Sequence, residues 1–283
     1  MMMIFINKIK DLRKIIKDWK KQGVSIGFVP TMGFLHEGHE SLIKKASSEN
    51  EVVIVSIFVN PTQFGVGEDL ESYPKDLKKD SQICERAGAT VIFNPEASEM
   101  YAKDATTFVD MDKLTGELCG KSRPIHFKGV CSVVSKLFNI VTPDKAYFGE
   151  KDAQQLAVIK RMVRDLNIDV EVIGCPIIRE EDGLAKSSRN TYLLEDERKA
   201  ATILNKAMIS AKSLIENGER NSEKVRNHIN SIINLEKLAK VDYIEVVDSL
   251  SIEKVDVIEK SVLVAIAVYI GKTRLIDNFT FEG

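Results

Sequence analysis

Hydrophobic positions near the start of the chain change from a helical to an extended spacing. Apolar residues first recur at steps of three and four: Ile9, Leu12, Ile16 and Trp19. This spacing predicts an amphipathic helix over residues 8–21, which ends at Gly23. The next segment, residues 24–29, is almost entirely apolar and is closed by Pro30, which predicts a buried strand.

The alternation of helix and strand continues to residue 173. Further helices are predicted at 39–48, 75–87, 130–141 and 152–166. Further strands are predicted at 52–59, 90–93, 146–148 and 170–173. Residues 52–59 are β-branched almost throughout, as expected of a parallel strand that is covered on both faces. Strands that alternate with helices of about ten to fifteen residues predict an α/β fold with a doubly wound, Rossmann-like parallel sheet.

The pattern changes after residue 176. Two long helices are predicted at 195–216 and 222–238, and they are followed by strands at 243–247, 262–270 and 274–279. Helices followed by strands without alternation predict a smaller α+β domain. We therefore expect a Rossmann-like domain over residues 1–176 and a small domain over 177–283 that acts as a lid.

Composition limits the classes of partner. Lys and Arg number 40 against 42 Asp and Glu, so the net charge of −2 gives no basic excess for nucleic-acid binding. The four cysteines are far apart and form no C-x-x-C pair, which favours a reducing compartment over a disulfide framework or a zinc site. No signal peptide is indicated, and no apolar run approaches the ~18–20 residues that span a bilayer. We expect a cytoplasmic protein without a membrane partner.

The first candidate site follows the strand at 24–29, in the segment V-P-T-M-G-F-L-H-E-G-H of residues 29–39. His36 and His39 are three residues apart at a predicted helix start, so they lie on the same side of its first turn. Free N–H groups and the positive end of the helix dipole suit phosphate at such a position. The alternative is a pair of surface histidines. His228, alone on a charged helix, is expected to be a solvated surface residue.

Two further candidate sites are weaker when taken alone. In F-V-N-P-T-Q-F-G, residues 58–65, the carboxamide of Gln63 suits recognition of a hydroxyl or a carboxylate, although an N-P pair often marks only a turn. In S-R-P-I-H-F-K-G, residues 122–129, Arg123 and His126 could bind an anion or belong to a solvated turn. The spacing does not decide between these alternatives.

Each of the last two candidate sites contains a cation that could reach a phosphate. In Y-F-G-E-K-D-A-Q-Q, residues 147–155, Lys151 can reach a phosphate, and Asp152 can hold a ribose hydroxyl or cap the helix. In R-E-E-D-G-L-A-K-S-S-R-N, residues 179–190, two hydroxyls are flanked by Lys186 and Arg189. Such a donor cluster suits a polyphosphate, although a polar loop here could also be an interdomain connection.

Taken together, these motifs resemble one family. The histidine motif and the late K-S-S-R loop resemble the nucleotidyltransferase superfamily, and the full set is similar to the pantothenate synthetase family within it. The similarity runs in unbroken order over residues 24–194, and R-L-I-D-N at 274–278 fits as well. One departure occurs at Lys186, where the family commonly has Met or Leu.

The resemblance implies a ligase that forms an amide bond. Pantoate would attack ATP to give pantoyl adenylate and pyrophosphate, and β-alanine would then displace AMP to give pantothenate, a precursor of coenzyme A. ATP is thus the implied cosubstrate, with Mg²⁺ bound mostly through phosphate oxygens and water, so that no metal ligand in the chain can be named. The resemblance also implies a homodimer.

The resemblance assigns roles residue by residue. ATP-binding positions are Met32, Gly33, Phe34, Leu35, His36, Glu37, Gly38, His39, Gly149, Glu150, Lys151, Asp152, Ile178, Lys186, Ser187, Ser188 and Arg189. Catalytic roles fall to His36, His39, Lys151 and Arg189. His39 matches the residue called the acid catalyst in the family, with electrostatic stabilisation as the alternative. Gln63 and Gln155 would hold pantoate, and the roles of Asn60, Arg123 and His126 are left open.

Two other functions compete with this interpretation. An adenylyltransferase of the same superfamily would move AMP onto a phosphorylated acceptor, which requires cations for that phosphate rather than two glutamines. A nucleotide-binding module without activity is the second alternative, and the presence of His36, His39, Lys151 and Arg189 argues against it.

Overall fold

Six parallel strands form the larger sheet in a computed structural model that describes residues 3–283. The strands are β1 Ile4–Ile6, β2 Ile26–Thr31, β3 Val52–Ile57, β4 Val91–Phe93, β5 Lys145–Gly149 and β6 Glu171–Cys175. Their order across the sheet is β1-β4-β3-β2-β5-β6, and each neighbouring pair is parallel. The predicted parallel α/β architecture is confirmed.

Seven helices occur between residues 9 and 165 of the chain. They are α1 Ile9–Lys21, α2 Glu37–Glu49, α3 Leu77–Ala87, α4 Ala97–Met100, α5 Cys119–Ser122, α6 His126–Val141 and α7 Ala153–Asp165. All six residues of β3 are buried, because helices cover both faces of the sheet. Most residues of α6 are buried as well, which explains why its sequence is apolar on nearly every side.

The direction in which the chain adds strands reverses next to β2. From β2 the chain continues to β3 and β4 on one side, whereas β5 pairs with β2 on the other side and β6 follows it. In open parallel sheets, ligands bind outside the carboxyl ends of the strands at such a reversal. The loops that follow β2, β3 and β5 leave the sheet at this edge.

The C-terminal part of the chain forms a second sheet with its own helices. The helices are α8 Glu195–Ala200, α9 Ile203–Glu216 and α10 Ser222–Ile233. The strands β7 Ala239–Asp248, β8 Val262–Ile270 and β9 Thr273–Phe281 pair in antiparallel order, with β8 in the centre. Residues of β8 are buried at almost every position, since the neighbouring strands and the helices α9 and α10 enclose it.

Several predicted boundaries differ from the observed ones. The helix expected over 195–216 is divided after Ala200, and the helix expected to reach residue 238 ends at Ile233. Leu235 and Leu238 continue the apolar spacing, but both are exposed, so they bury too little surface to stabilise further turns. The short edge strand β1 was not predicted, because only one of its three residues is buried.

The described chain divides into two compact units. The N-terminal unit contains the chain up to Asp112 together with Arg123–Glu150 and Val158–Pro176, and the C-terminal unit contains Lys113–Ser122, Lys151–Ala157 and Ile177–Gly283. Met1 and Met2, the first residues of the predicted domain 1–176, lie outside the described residues. The division at residue 176 and the lid role stay predictions. Within residues 3–283, no helix is both long enough and apolar enough to cross a membrane.

Candidate functional site

Hydrogen bonds of Thr31 connect the loop between β2 and α2 to strand β3. The Thr31 hydroxyl donates to the main-chain oxygen of Ser56 on β3 at 2.8 Å and accepts from the N–H of Gly33 at 3.2 Å. Gly33 has φ +87° and Phe34 has φ +50°, so the chain turns through two consecutive left-handed residues. This conformation is unfavourable for a residue such as Phe34 unless other contacts stabilise it.

Asp80 on α3 supplies that stabilisation. Its side chain is 1% exposed, and its two carboxylate oxygens accept the N–H groups of Phe34 at 2.9 Å and Leu35 at 2.6 Å. Burial raises the pKa of Asp80, and the two N–H donors only partly offset this effect. The sequence analysis missed Asp80, because 45 residues separate it from Leu35 and its helix looks like an ordinary charged helix. One signal was available, since this acidic residue falls on the apolar face with Ile83 and Cys84.

Asp80→Asn is expected to lower both the stability of the protein and its rate of turnover. One N–H would face the amide group instead of an oxygen, which costs about 1–3 kcal/mol of unfolding free energy. The displaced loop should slow turnover by roughly 10- to 100-fold, the range known for small misplacements of catalytic groups. Asp76→Ala is the matched control, because it removes the cap of the same helix, at Lys79 N–H, without touching the loop. Equal turnover in the two variants, measured at a temperature where both are folded, would show that Asp80 does not position the loop.

His36 and His39 are brought together at the N-terminus of α2. Their ring centroids are 4.2 Å apart, His36 Nδ1 accepts from Gly38 N–H at 3.1 Å, and His39 Nδ1 accepts from His36 N–H at 3.3 Å. Because each Nδ1 is an acceptor, the ring N–H of each neutral histidine is on Nε2. The same helix start therefore offers two imidazole N–H donors beside the positive end of the helix dipole. Such an arrangement suits an oxyanion such as phosphate.

Gln63 lies in the loop after β3 and is 7% exposed. Its Nε2 donates to the sulfur of Met32 at 3.1 Å, and its Oε1 accepts from Asn60 at 3.0 Å. The loops that follow β2 and β3 are therefore in direct contact through two predicted site residues. Asn60 is 1% exposed and also accepts from the hydroxyl of Tyr101 at 2.8 Å. These contacts favour a role for Asn60 in holding Gln63.

Helix α6 approaches the backbone of Gln63 closely at Gly129. A methyl group on Gly129 would lie 2.5 Å from the Cα and 2.6 Å from the nitrogen of Gln63, so only glycine allows this contact. The main-chain oxygen of Gln63 accepts from His126 Nδ1 at 3.0 Å and from Arg123 at 3.4 Å. Arg123 and His126 are thus hydrogen-bonded to the main chain of Gln63, a predicted site residue.

The positive charge of Arg123 is compensated within the N-terminal unit. Its guanidinium donates to Glu68 from Nε at 2.9 Å and from a second nitrogen, and both side chains are largely buried. Burial opposes ionisation of Glu68, but the hydrogen bonds and charge of Arg123 outweigh it and hold the Glu68 pKa below its usual value. The structure therefore favours a bracing role for Arg123 over a direct anion site.

Gly149 and Glu150 complete the predicted residues of the N-terminal unit. Gly149 is the last residue of β5, which pairs with β2, and Glu150 begins a short 3-10 turn. The N-terminal unit thus places the residues predicted after β2, β3 and β5 at the same edge of its sheet. The remaining predicted residues, from Lys151 onward, belong to the C-terminal unit.

Lys151 and Asp152 lie in the 3-10 turn before α7, and Gln155 lies in the first turn of α7. Lys151 is 20% exposed and Asp152 is 52% exposed, and the Lys151 nitrogen lies 3.8 Å from the Asp152 carboxylate. Gln155 is partly exposed on the first turn of the helix. Its neighbour Gln154 is buried and accepts from Cys119 N–H at 2.9 Å, so the two glutamines have different environments. Gln154 forms a hydrogen bond with the main chain at Cys119, whereas the side chain of Gln155 is partly exposed.

Residues 178–186 form a small hairpin that leads into the K-S-S-R motif. Lys186 N–H donates to the main-chain oxygen of Ile178 at 2.9 Å, and Gly183 makes the turn with φ +91°. Ser187 then caps a 3-10 helix, Ser188–Tyr192, by accepting from Arg189 N–H at 3.3 Å. Ile178, Lys186, Ser187, Ser188 and Arg189 therefore belong to one structured segment of the C-terminal unit.

No group of three or more His, Cys, Asp or Glu side chains among residues 3–283 is arranged to hold a metal ion. The cysteines Cys84, Cys131 and Cys175 are buried, and burial raises the pKa of Cys84 and Cys131 to about 12. These three thiols are core residues.

Comparisons with known proteins show the family of the chain. The sequence model of the family described as Pantoate-beta-alanine ligase matches residues 4–280. The chain is 68% identical over 280 residues to the pantothenate synthetase of Enterococcus faecalis, with 99% of each chain covered. The crystal structure of pantothenate synthetase from Thermus thermophilus superposes with a TM-score of 0.93 at 39% identity, covering 98% of this chain and 99% of that one. The pantoate-beta-alanine ligase of Francisella tularensis, crystallised with beta-gamma ATP and beta-alanine, gives a TM-score of 0.80 at 41% identity over 98% and 97%.

Proposed function

This chain belongs to the pantoate-beta-alanine ligase family, and from that premise we propose how its residues carry out the reaction. The enzyme condenses pantoate with β-alanine in an ATP-dependent reaction, through a pantoyl adenylate, and releases AMP and pyrophosphate. The observation that carries the residue assignment is the paired imidazole N–H donors at the start of α2, bonded through Met32 to the loop that holds Gln63.

Adenylate formation requires positioning and charge stabilisation more than covalent catalysis. The carboxylate oxygen of pantoate attacks the α-phosphorus while the bond to pyrophosphate breaks, so negative charge builds on the phosphate oxygens. His36 and His39 donate hydrogen bonds to those oxygens from Nε2. Pyrophosphate leaves as an anion, so this step needs no proton from His39. The acceptor role of each Nδ1 therefore supports electrostatic stabilisation as the role of the two histidines.

The C-terminal unit supplies the cations of the proposed site. Lys151 contacts phosphate, and Asp152, half exposed beside it, contacts the ribose. Lys186, Ser187, Ser188 and Arg189 bind the triphosphate, and the main chain of Ile178 lies beside the adenine. Gly149 and Glu150 contact the nucleotide from the end of β5. The cationic Lys186, where the family commonly has Met or Leu, adds a further charge to this segment.

Two carboxamides hold pantoate while its carboxylate reacts. Gln63 and Gln155 are neutral, so they can bind hydroxyl and carboxylate oxygens without neutralising the nucleophile. Hydrogen bonds position Gln63: Asn60 contacts its side chain, and Arg123 and His126 contact its main-chain oxygen. In the second step the amine of β-alanine attacks the acyl carbon, the acyl–phosphate bond breaks, and AMP leaves.

Three further properties are part of the proposal. Mg²⁺ enters as the complex with ATP, held mostly by phosphate oxygens and water. We also propose that the enzyme is a homodimer, on the basis of its family. Its action in the cytoplasm is proposed on the basis of its four free thiols, which suit a reducing compartment.

Product analysis tests the proposed function. With ATP, pantoate and β-alanine, we expect AMP and pantothenate in equal amounts. Without β-alanine, mass spectrometry should detect enzyme-bound pantoyl adenylate. Propionate, which has the carboxylate of β-alanine but no amine, is the matched control and should give no amide product. Accumulation of a dinucleotide in place of free AMP and pantothenate would indicate an adenylyltransferase instead.

A further inference from the structure

Two consecutive buried residues of strand β9 are polar. Asp277 is 2% exposed and Asn278 is 6% exposed, in a strand whose other buried positions are Thr273 and Leu275. Consecutive residues of a strand point to opposite faces, so the two side chains reach different neighbours. Buried polar and charged groups destabilise a fold unless they are paired, so each side chain needs a specific partner.

Asp277 pairs with the hairpin that precedes the K-S-S-R motif. The guanidinium of Arg179 donates to both carboxylate oxygens, at 2.7 and 2.9 Å, and also to the main-chain oxygen of Gly183 at 3.1 Å. Arg179, at the start of the hairpin, thus contacts both strand β9 and the turn of the hairpin at Gly183. A bidentate arginine–carboxylate pair fixes orientation as well as distance.

The same hairpin is fixed on its other side by Glu180. Arg198 on α8 donates to Glu180 at 2.8 Å and to Asp182 at 2.7 Å, and Asn190 donates to Glu180 at 2.9 Å. Asn190 immediately follows Arg189, so both ends of the segment that carries Lys186–Arg189 are fixed to the C-terminal unit.

Asn278 pairs with the other cationic segment of the C-terminal unit. Its side-chain nitrogen donates to the main-chain oxygen of Lys151 at 2.8 Å. Lys151 is 127 positions away in sequence, in the 3-10 turn that precedes α7. The adjacent residues Asp277 and Asn278 therefore contact two segments that carry the proposed phosphate contacts.

We infer that Asp277 and Asn278 are positioning residues for the adenylation step, each fixing one cationic segment relative to the same strand. The inference rests on the proposed function, since it takes Lys151 and Lys186–Arg189 as the groups that contact ATP. Neither Asp277 nor Asn278 needs to touch a substrate. Their register on one strand sets the spacing between the two segments.

A double-mutant cycle tests whether Asn278 acts through Lys151. The measured quantity is the exchange of labelled pyrophosphate into ATP, with pantoate present and β-alanine omitted. We expect Asn278→Ala to lower exchange about tenfold and Lys151→Ala about 10²-fold. The double variant should stay near the value of Lys151→Ala, because Asn278 has nothing left to position. A further tenfold loss in the double variant would overturn the inference.

Asn221→Ala is the matched control for loss of stability. It also removes an asparagine hydrogen bond in the C-terminal unit, the cap at Lys224 N–H, but touches neither cationic segment. We expect its exchange rate to equal that of the wild type. If Asn278→Ala does not fold, Asp277→Asn keeps the size of its side chain and is tested in a cycle with Arg189→Ala, with the same expected non-additivity. A wild-type enzyme that catalyses no exchange would overturn the proposed function itself, whereas additive losses with an active wild type would overturn only this inference.

Discussion

Replacing His39 with alanine is expected to slow pantoyl adenylate formation by about 10²-fold or more, the usual effect of removing one donor from a site that stabilises developing charge. His39 Nδ1 already accepts from His36 N–H, so the contact that we propose between His39 and the phosphate is made by Nε2–H. The alanine variant loses this donor and also the contact that orients His36. The rate of pyrophosphate exchange with saturating ATP and pantoate measures the effect.

His39→Gln separates a hydrogen-bond donor from a proton donor. Glutamine places an N–H donor near the position of the imidazole Nε2 but does not transfer a proton at neutral pH. If His39 stabilises charge, His39→Gln should retain clearly more activity than His39→Ala. Equal losses in the two variants would instead support acid catalysis. His228→Ala is the control for removing a histidine, since His228 lies on α10 with its Nε2 2.7 Å from the Ser210 hydroxyl, and it should leave the rate unchanged.

The order of elements in the fold could be predicted because it depends on local patterns. The apolar run at 52–59 predicts β3, and the three-and-four spacing at 9–19 predicts α1, without knowledge of any distant residue. Errors arose where burial was not local. Leu235 and Leu238 have the spacing of a helix but remain exposed, so α10 ends before them.

The candidate site was predicted as a set of motifs but not as a set of contacts. Gln63 was identified by its residue type and its position after a strand, whereas its bond to Met32 depends on how two loops fold over the sheet. Asp80 was not identified at all. No residue near it in sequence indicates that its carboxylate accepts two N–H groups from a loop 45 positions away. The place of Asp80 on the apolar face of α3 indicates that it is buried, but no pattern in a single sequence identifies the two N–H groups that it binds.

The structure also changes the interpretation of one motif that the sequence left open. Arg123 and His126 come from a basic loop, which suggested an anion site or a solvated turn. Their donors are instead directed at the main-chain oxygen of Gln63 and at Glu68. Arg123 and His126 therefore form hydrogen bonds within the protein. Positive charge alone does not predict which residues contact a substrate.

Lys151→Ala is expected to lower adenylate formation by about 10²-fold or more, because the phosphate would lose the cation that we propose contacts it. The side chain of Lys151 is 20% exposed, so water only partly screens its charge. Lys151→Arg keeps the charge but replaces a compact ammonium group with a wider guanidinium, and it should recover part of the rate. Rates of pyrophosphate exchange in the two variants, at saturating and at low ATP, measure the two effects.

Lys254→Ala is the matched control for loss of a lysine from the C-terminal unit. Lys254 is 50% exposed and forms a 2.7 Å ion pair with Glu245, whose loss should change stability by less than about 1 kcal/mol and leave exchange unaffected. Near-wild-type exchange in Lys151→Ala would exclude Lys151 from the phosphate site. It would also remove the reason for holding its backbone with Asn278, because fixing Lys151 matters to the reaction only if its charge acts on the substrate.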